Sequence, residues 1–140
     1  MEAITAAQIA IEAWRKGESA KSYADFRRIL SPHFELFSHP ILGQFDGESA
    51  RHELDKLMNE QEQLINELVF SDIRFFRNGH TVLVMFNCRG TVMGGRWYYK
   101  GPSVICFRFD DDGKIMEFRI LPGTINEDWF KPETAPDLSE

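Results

Sequence analysis

The stretch from residue 69 to 121 constrains this chain more than any other, because it divides into β-rich runs separated by turn signals. Asn78-Gly79 stands between two such runs, the strongest short-range sign of a β-hairpin. Residues 81–88 are almost wholly apolar, which predicts a strand buried on both faces. A looser turn follows at 90–95. Residues 96–100 and 103–109 are separated by Gly101-Pro102, which predicts a bulge or bend inside one long strand. Asp110-Asp111-Asp112-Gly113 reads as a tight turn, and 114–121 as the last strand. The whole is an antiparallel sheet, and it needs cover.

The first half of the chain supplies that cover. Thr5 and Gln8 fit a capping box, with Ile4 and Ile9 at the positions of a hydrophobic staple. Gly17, after Arg15 and Lys16, predicts the end of this first helix. A second helix is predicted from Ser22, with Tyr23, Phe26, Ile29 and Leu30 on its apolar side, and Ser31-Pro32 stops it. Residues 34–39 read as a strand closed by Pro40. Gly43 and Gly47 bracket a loop carrying Phe45. A third helix follows Asp46-Gly47, with Leu54, Leu57, Met58, Gln61 and Ile65 in one stripe, and the pattern turns extended near 64–68. The order defines an α+β domain over 1–123: three N-terminal helices packed on one face of a strongly curved antiparallel sheet. Such a sheet encloses a cone whose mouth is a natural small-molecule pocket. Residues 124–140 read as an acidic, irregular tail that Trp129 and Phe130 would anchor.

Composition narrows the function classes. The 140 residues carry a net charge of −6; the 127–140 stretch holds five acids and one base, so the rest is close to neutral. The longest basic run is Arg27-Arg28. A phosphate-binding footprint needs a basic excess, so neither nucleic acid nor an anionic membrane is an expected partner. No apolar run is long enough to span a bilayer and no secretion signal opens the chain, so a cytoplasmic location is expected. Cys88 and Cys106 lie within strand-like runs and read as buried thiols. His33, His39, His52 and His80 have no zinc-pair spacing, and neither cysteine has a second one nearby. No metal and no cofactor are expected.

Two stretches carry a family resemblance. The first is Phe37-Ser38-His39-Pro40 followed by Gly43, Phe45, Gly47 and the third helix; the second is Phe107-Arg108-Phe109-Asp110-Asp111-Asp112-Gly113-Lys114-Ile115 followed by Glu117. Together with the element order over 5–121 they resemble the nuclear transport factor 2-like superfamily, especially its ketosteroid isomerase and SnoaL-like polyketide cyclase branches. The resemblance implies a cone-shaped, cystatin-like roll with a pocket, and homodimers formed through the sheet face. In the isomerase branch an Asp directly before the Pro of the first strand is the proton-shuttling base; His39 stands there in this chain. The oxyanion-stabilising Asp of that branch falls at Ile105, and its helix-1 Tyr near Ala10. Two of three catalytic places are apolar, so steroid isomerase activity is not expected. The superfamily also holds dehydratases, cyclases, epoxide hydrolases and members without chemistry.

His39 is therefore the candidate catalytic residue, an imidazole that titrates near neutrality and would want a carboxylate to fix its tautomer. Glu35, Asp46 and Glu117 are the candidates for that carboxylate. The alternative is a histidine bonded to backbone at a sheet corner. Alternation places Ile105, Phe107 and Phe109 on one face of their strand, opposite Arg108, and Met116, Phe118 and Ile120 on one face of the last. With Trp14, Phe37 and Met58 these residues would line an apolar cavity or form a packed core. Trp97-Tyr98-Tyr99 puts an aromatic on each face of its strand, with Trp97 and Tyr99 assigned to the pocket. Arg74, Arg89, Arg96 and Arg119 suit either an anion-holding group or cross-strand pairs outside. Two functions follow. One is a small-molecule-binding domain, with a hydrophobic ring or acyl ligand and cofactor-independent proton transfer through His39, of isomerase, cyclase or dehydratase type. The other is a non-catalytic dimeric binding module.

Overall fold

A computed structural model describes residues 1–19, 22–92, 97–121 and 131–132. Helices α1 (Ala3–Ser19), α2 (Ala24–Arg28) and α3 (Glu48–Leu64) cover a sheet of seven strands. The strands are β1 (Leu36–His39), β2 (Gly43–Asp46), β3 (Ile65–Asn78), β4 (Thr81–Val92), β5 (Trp97–Phe109), β6 (Ile115–Leu121) and β7 (Lys131–Pro132). Their spatial order is β2-β1-β6-β5-β4-β3, with β7 paired to β5. All pairings are antiparallel except β1 with β6, where Leu36, Phe37 and Ser38 run parallel beside Glu117, Phe118 and Arg119. No helix among the described residues is long and apolar enough to cross a membrane.

Local chemistry explains where the elements begin and bend. Helix α1 starts earlier than its Thr5 signal, because the Glu2 carboxylate accepts from the amides of Ile4 (3.0 Å) and Thr5 (3.1 Å) and satisfies the first turn. It also runs past Gly17 to Ser19. Ile9 points outward, 44% exposed, so no staple forms with Ile4. The stretch from Gly43 to Asp46 is a strand, not a loop, pairing His39 with Gly43 and Phe37 with Phe45. The β3–β4 turn is Gly79-His80, one residue later than the Asn-Gly signal, with Gly79 at φ 62° and Asn78 paired to Thr81.

Strand β5 is continuous through Gly101-Pro102, and its register with β4 does not shift there. Pro102 is tolerated because it lies beyond the last β5–β6 pair, Val104 with Leu121. Register shifts sit instead on β3, one between Ile65 and Glu67 and one between Ser71 and Arg74. There Asp72 adopts φ 52° and its Oδ2 accepts from Asn87 Nδ2 at 3.1 Å. A further shift falls between β5 and β6 at Phe109. Bulges of this kind sharpen twist and bend a sheet. At the other end of β5, the Asp110 carboxylate accepts from the amides of Asp112 and Lys114, both at 2.9 Å, and closes the β5–β6 turn.

The inner face of the sheet carries the core. Val82, Val84, Phe86, Ile105, Phe107, Phe109, Phe37 and Phe118 are buried there against Ala7, Ala10, Ile11, Trp14, Leu54 and Met58 of the helices. The outer face of β4 is half-exposed at Leu83 and Met85, so in the single chain this strand is buried on one side only. Both cysteines are thiols, Cys88 buried and Cys106 half-buried.

Candidate functional site

Cross-strand register arranges the inner face in rows. One row runs Phe45–Phe37–Phe118–Phe107–Val82 across β2, β1, β6, β5 and β4. The next runs Ile120–Ile105–Val84–Phe75. The β1–β6 pairing ends at Ser38 with Arg119, the residue before Ile120, while His39 pairs with Gly43 of β2. His39 shares the side of β1 occupied by Phe37, which is fully buried, and the two ring centroids lie 6.4 Å apart.

His39 is half-buried and ends β1 directly before Pro40. Its Nδ1 accepts two backbone hydrogen bonds from the turn that follows, from Ile41 N at 3.1 Å and Leu42 N at 3.2 Å. Burial holds its pKa below the ordinary imidazole value. No carboxylate among the described residues bonds to it. Glu35 pairs with Arg108 on the opposite side. Glu117 accepts from Arg108 Nε (2.7 Å) and Arg119 Nη2 (3.2 Å). Burial raises the pKa of Glu117, but these two guanidiniums outweigh it and hold the carboxyl below its usual range. Asp46 lies at the far end of β2, opposite Leu36.

The other residues expected at a pocket divide into three groups. Trp14, Phe37, Met58, Ile105, Phe107 and Phe118 are buried in the core. The rings touch one another: Trp14 lies 5.0 Å from Phe118, and Phe107 stacks on Phe118 at 5.3 Å. That end of the cone is filled. Ile120 is partly buried against this core, and Met116 is half-exposed at the β5–β6 bulge. The side chains of Trp97 and Tyr99 lie outside the described residues, as do Arg96, Trp129 and Phe130. The candidate site is therefore His39 with Phe37, at the rim of a packed aromatic layer.

Tyr23 belongs to the same interior and was read from sequence only as an apolar helix position. It is fully buried, 4.8 Å from Trp14, and its phenol donates to Gln61 Oε1 at 2.9 Å. The available signal was general: a Tyr on a buried stripe needs a partner for its hydroxyl. Described residues line two grooves on the surface. One, of about 630 Å³, runs between the β1 approach and the start of α3, past His33, Glu35, Arg51 and His52. The other, of about 560 Å³, lies between α1 and α2 around Ile9, Ala13, Arg28 and Ile29. No group of three His, Cys, Asp or Glu side chains among the described residues is placed to hold a metal ion.

No protein-family model matches the chain, and no curated protein matches it. Solved structures do. A nuclear transport factor 2-like protein from Anabaena variabilis superposes with a TM-score of 0.74 at 20% identity, over 88% of this chain and 90% of that one. An LEH-like epoxide hydrolase of M. tuberculosis gives 0.61 at 17%, over 83% and 81%. SalBIII, an epoxide hydrolase/cyclase-like enzyme with a role in pyran ring formation in the polyether salinomycin, gives 0.61 at 18%, over 86% and 92%. The three helices on a bent sheet therefore define a nuclear transport factor 2-like fold. At these identities the likeness is one of fold, shared by binding domains and enzymes alike.

Proposed function

We propose that this chain is a small-molecule-binding domain that holds a hydrophobic ring or acyl compound against the inner face of its sheet beside His39. The observation that carries the reading is the place of His39: a half-buried imidazole that ends β1 on the side of the fully buried Phe37, the two ring centroids 6.4 Å apart. Its fixed position at a water-poor rim suits an acid/base or polarising group that needs no cofactor. The epoxide hydrolase and cyclase-like enzymes among the fold neighbours fit this reading. Steroid isomerisation does not fit, because Ile105, buried two strands from His39, supplies no acid. A thermal-shift screen of aromatic, polyketide-like and acyl compounds tests it. A ligand present at about a hundred times its Kd adds roughly 2.7 kcal/mol, a rise of several degrees. The rise is expected in the wild type and to shrink in His39→Asn; a flat screen defeats the proposal.

A second reading, a homodimer closed through the outer sheet face, draws on a different observation. Two cross-strand rows there, Phe76–Leu83–Cys106–Arg119 and Arg74–Met85–Val104–Leu121, are largely apolar, and Phe76 is 50% exposed. Residues 81–88 have the composition of a doubly buried strand, yet one of its faces is open in the single chain. Sedimentation at micromolar concentration is expected to show twice the 16.2 kDa chain mass, and Met85→Glu to return it to a monomer. A wild type that sediments only at chain mass removes this reading and leaves the first untouched.

A further inference from the structure

We infer that His39 serves its ligand as a hydrogen-bond donor through Nε2–H, and that the ligand offers a neutral oxygen acceptor, a carbonyl or an epoxide, at that point. The inference rests on the small-molecule reading above and fixes the chemical class that the site takes.

The argument starts from the turn. Backbone amides can only donate, so the two bonds from Ile41 and Leu42 require a lone pair on Nδ1. A neutral imidazole with its lone pair at Nδ1 carries its proton on Nε2. Protonating Nδ1 would set an N–H against two N–H groups and break both bonds. The basic nitrogen is thus occupied by the protein itself, and what faces a ligand is a donor.

The surroundings agree. Burial is the cause that lowers the His39 pKa, so the neutral form is retained on the acid side of the ordinary value. Charged groups on the neighbouring elements are engaged or distant. On β6, Glu117 and Arg119 bond to each other, with Arg108 of β5 joining on Glu117. Asp46 of β2 is at the opposite end of the hairpin, and Arg51 of α3 donates to the Ser31 carbonyl. On the side of β1 that His39 shares lies the fully buried Phe37 ring, 6.4 Å away between centroids, hydrocarbon that cannot solvate a charge. A carboxylate or an ammonium would pay that desolvation without a counter-ion; an uncharged carbonyl or epoxide oxygen would accept from Nε2 and bury its carbon frame.

The test has two arms. Long-range ¹H–¹⁵N correlation spectra of the uniformly labelled wild type read the tautomer without any ligand. Nε2 is expected to carry the proton, with Nδ1 unprotonated, at pH 6.5. Binding is then measured by fluorescence with 2-acetylnaphthalene, 2-ethylnaphthalene and 2-naphthoate. The ketone is expected to bind about tenfold more tightly than the ethyl compound, one hydrogen bond's worth, and the carboxylate weakest. His39→Asn keeps an acceptor for the turn amides but has no donor at the Nε2 position, so the ketone preference should vanish in a folded protein. An Nδ1–H tautomer, equal affinities for ketone and hydrocarbon, or a preference for the carboxylate overturns the inference while the small-molecule reading stands. Failure of all three probes to bind overturns both.

Discussion

Replacing Phe118 by alanine is expected to cost about 3–5 kcal/mol of unfolding free energy, read by denaturant melts followed by circular dichroism. The side chain is fully buried, and its ring meets Trp14 of α1 at 5.0 Å, Phe26 of α2 at 5.3 Å, Phe37 of β1 at 6.0 Å and Phe107 of β5 at 5.3 Å. Strands on both sides and two helices lean on one side chain, so no single element can move in to fill the space. The loss combines transfer free energy with an unfilled void. Phe118→Leu retains most of the volume and should cost much less. A loss for Phe118→Ala below roughly 1.5 kcal/mol would mean that the surrounding rings collapse inward, against the rigid aromatic layer described above.

The second large effect is expected at Glu62, far from His39. The N-cap residue of helix α2 is Tyr23, whose side chain makes no capping bond. The cap comes from α3: the Glu62 carboxylate accepts from the Tyr23 amide at 2.7 Å and lies 3.4 Å from Arg27 Nη1. Glu62→Ala leaves the amide of a fully buried residue without this acceptor, a loss of about 1–3 kcal/mol. It also removes an anion from the positive end of the α2 dipole. Glu62→Gln preserves an acceptor oxygen and should recover most of the loss. Hydrogen exchange at the α2 amides should rise in the alanine variant before the sheet amides respond; uniform protection in both variants would count against the cap.

These two sites show what sequence can and cannot carry. The β3–β4 and β5–β6 hairpins were legible because Gly79 and the Asp110 side chain act within a few residues of themselves. Strand β2 was not, since Gly43-Gln44-Phe45-Asp46 is too short for alternation to register and becomes a strand only by pairing with β1. Gly101-Pro102 suggests a bulge or bend, yet β5 keeps its register there and β3 shifts at Asp72, because a proline beyond the end of β6 disturbs nothing while a non-glycine at positive φ must distort its ladder. The Glu62 cap was invisible for the same reason as the Tyr23–Gln61 bond: each joins residues remote in the chain. His39 was legible as the residue that ends β1, directly before Pro40. Its state was not, since the amides that occupy Nδ1 reach it only once Pro40-Ile41-Leu42 has folded back.

The parallel alignment of β1 with β6 also bears on how the protein is made. A polypeptide leaving the ribosome N-terminus first presents β1 long before its neighbour exists, and Phe37 has no Phe118 to meet until synthesis reaches the final hairpin. Closure over so long a separation is entropically slow. Until then the nascent chain exposes aromatic surface that invites chaperones or aggregation, so translation speed through β5 and β6 should influence its yield.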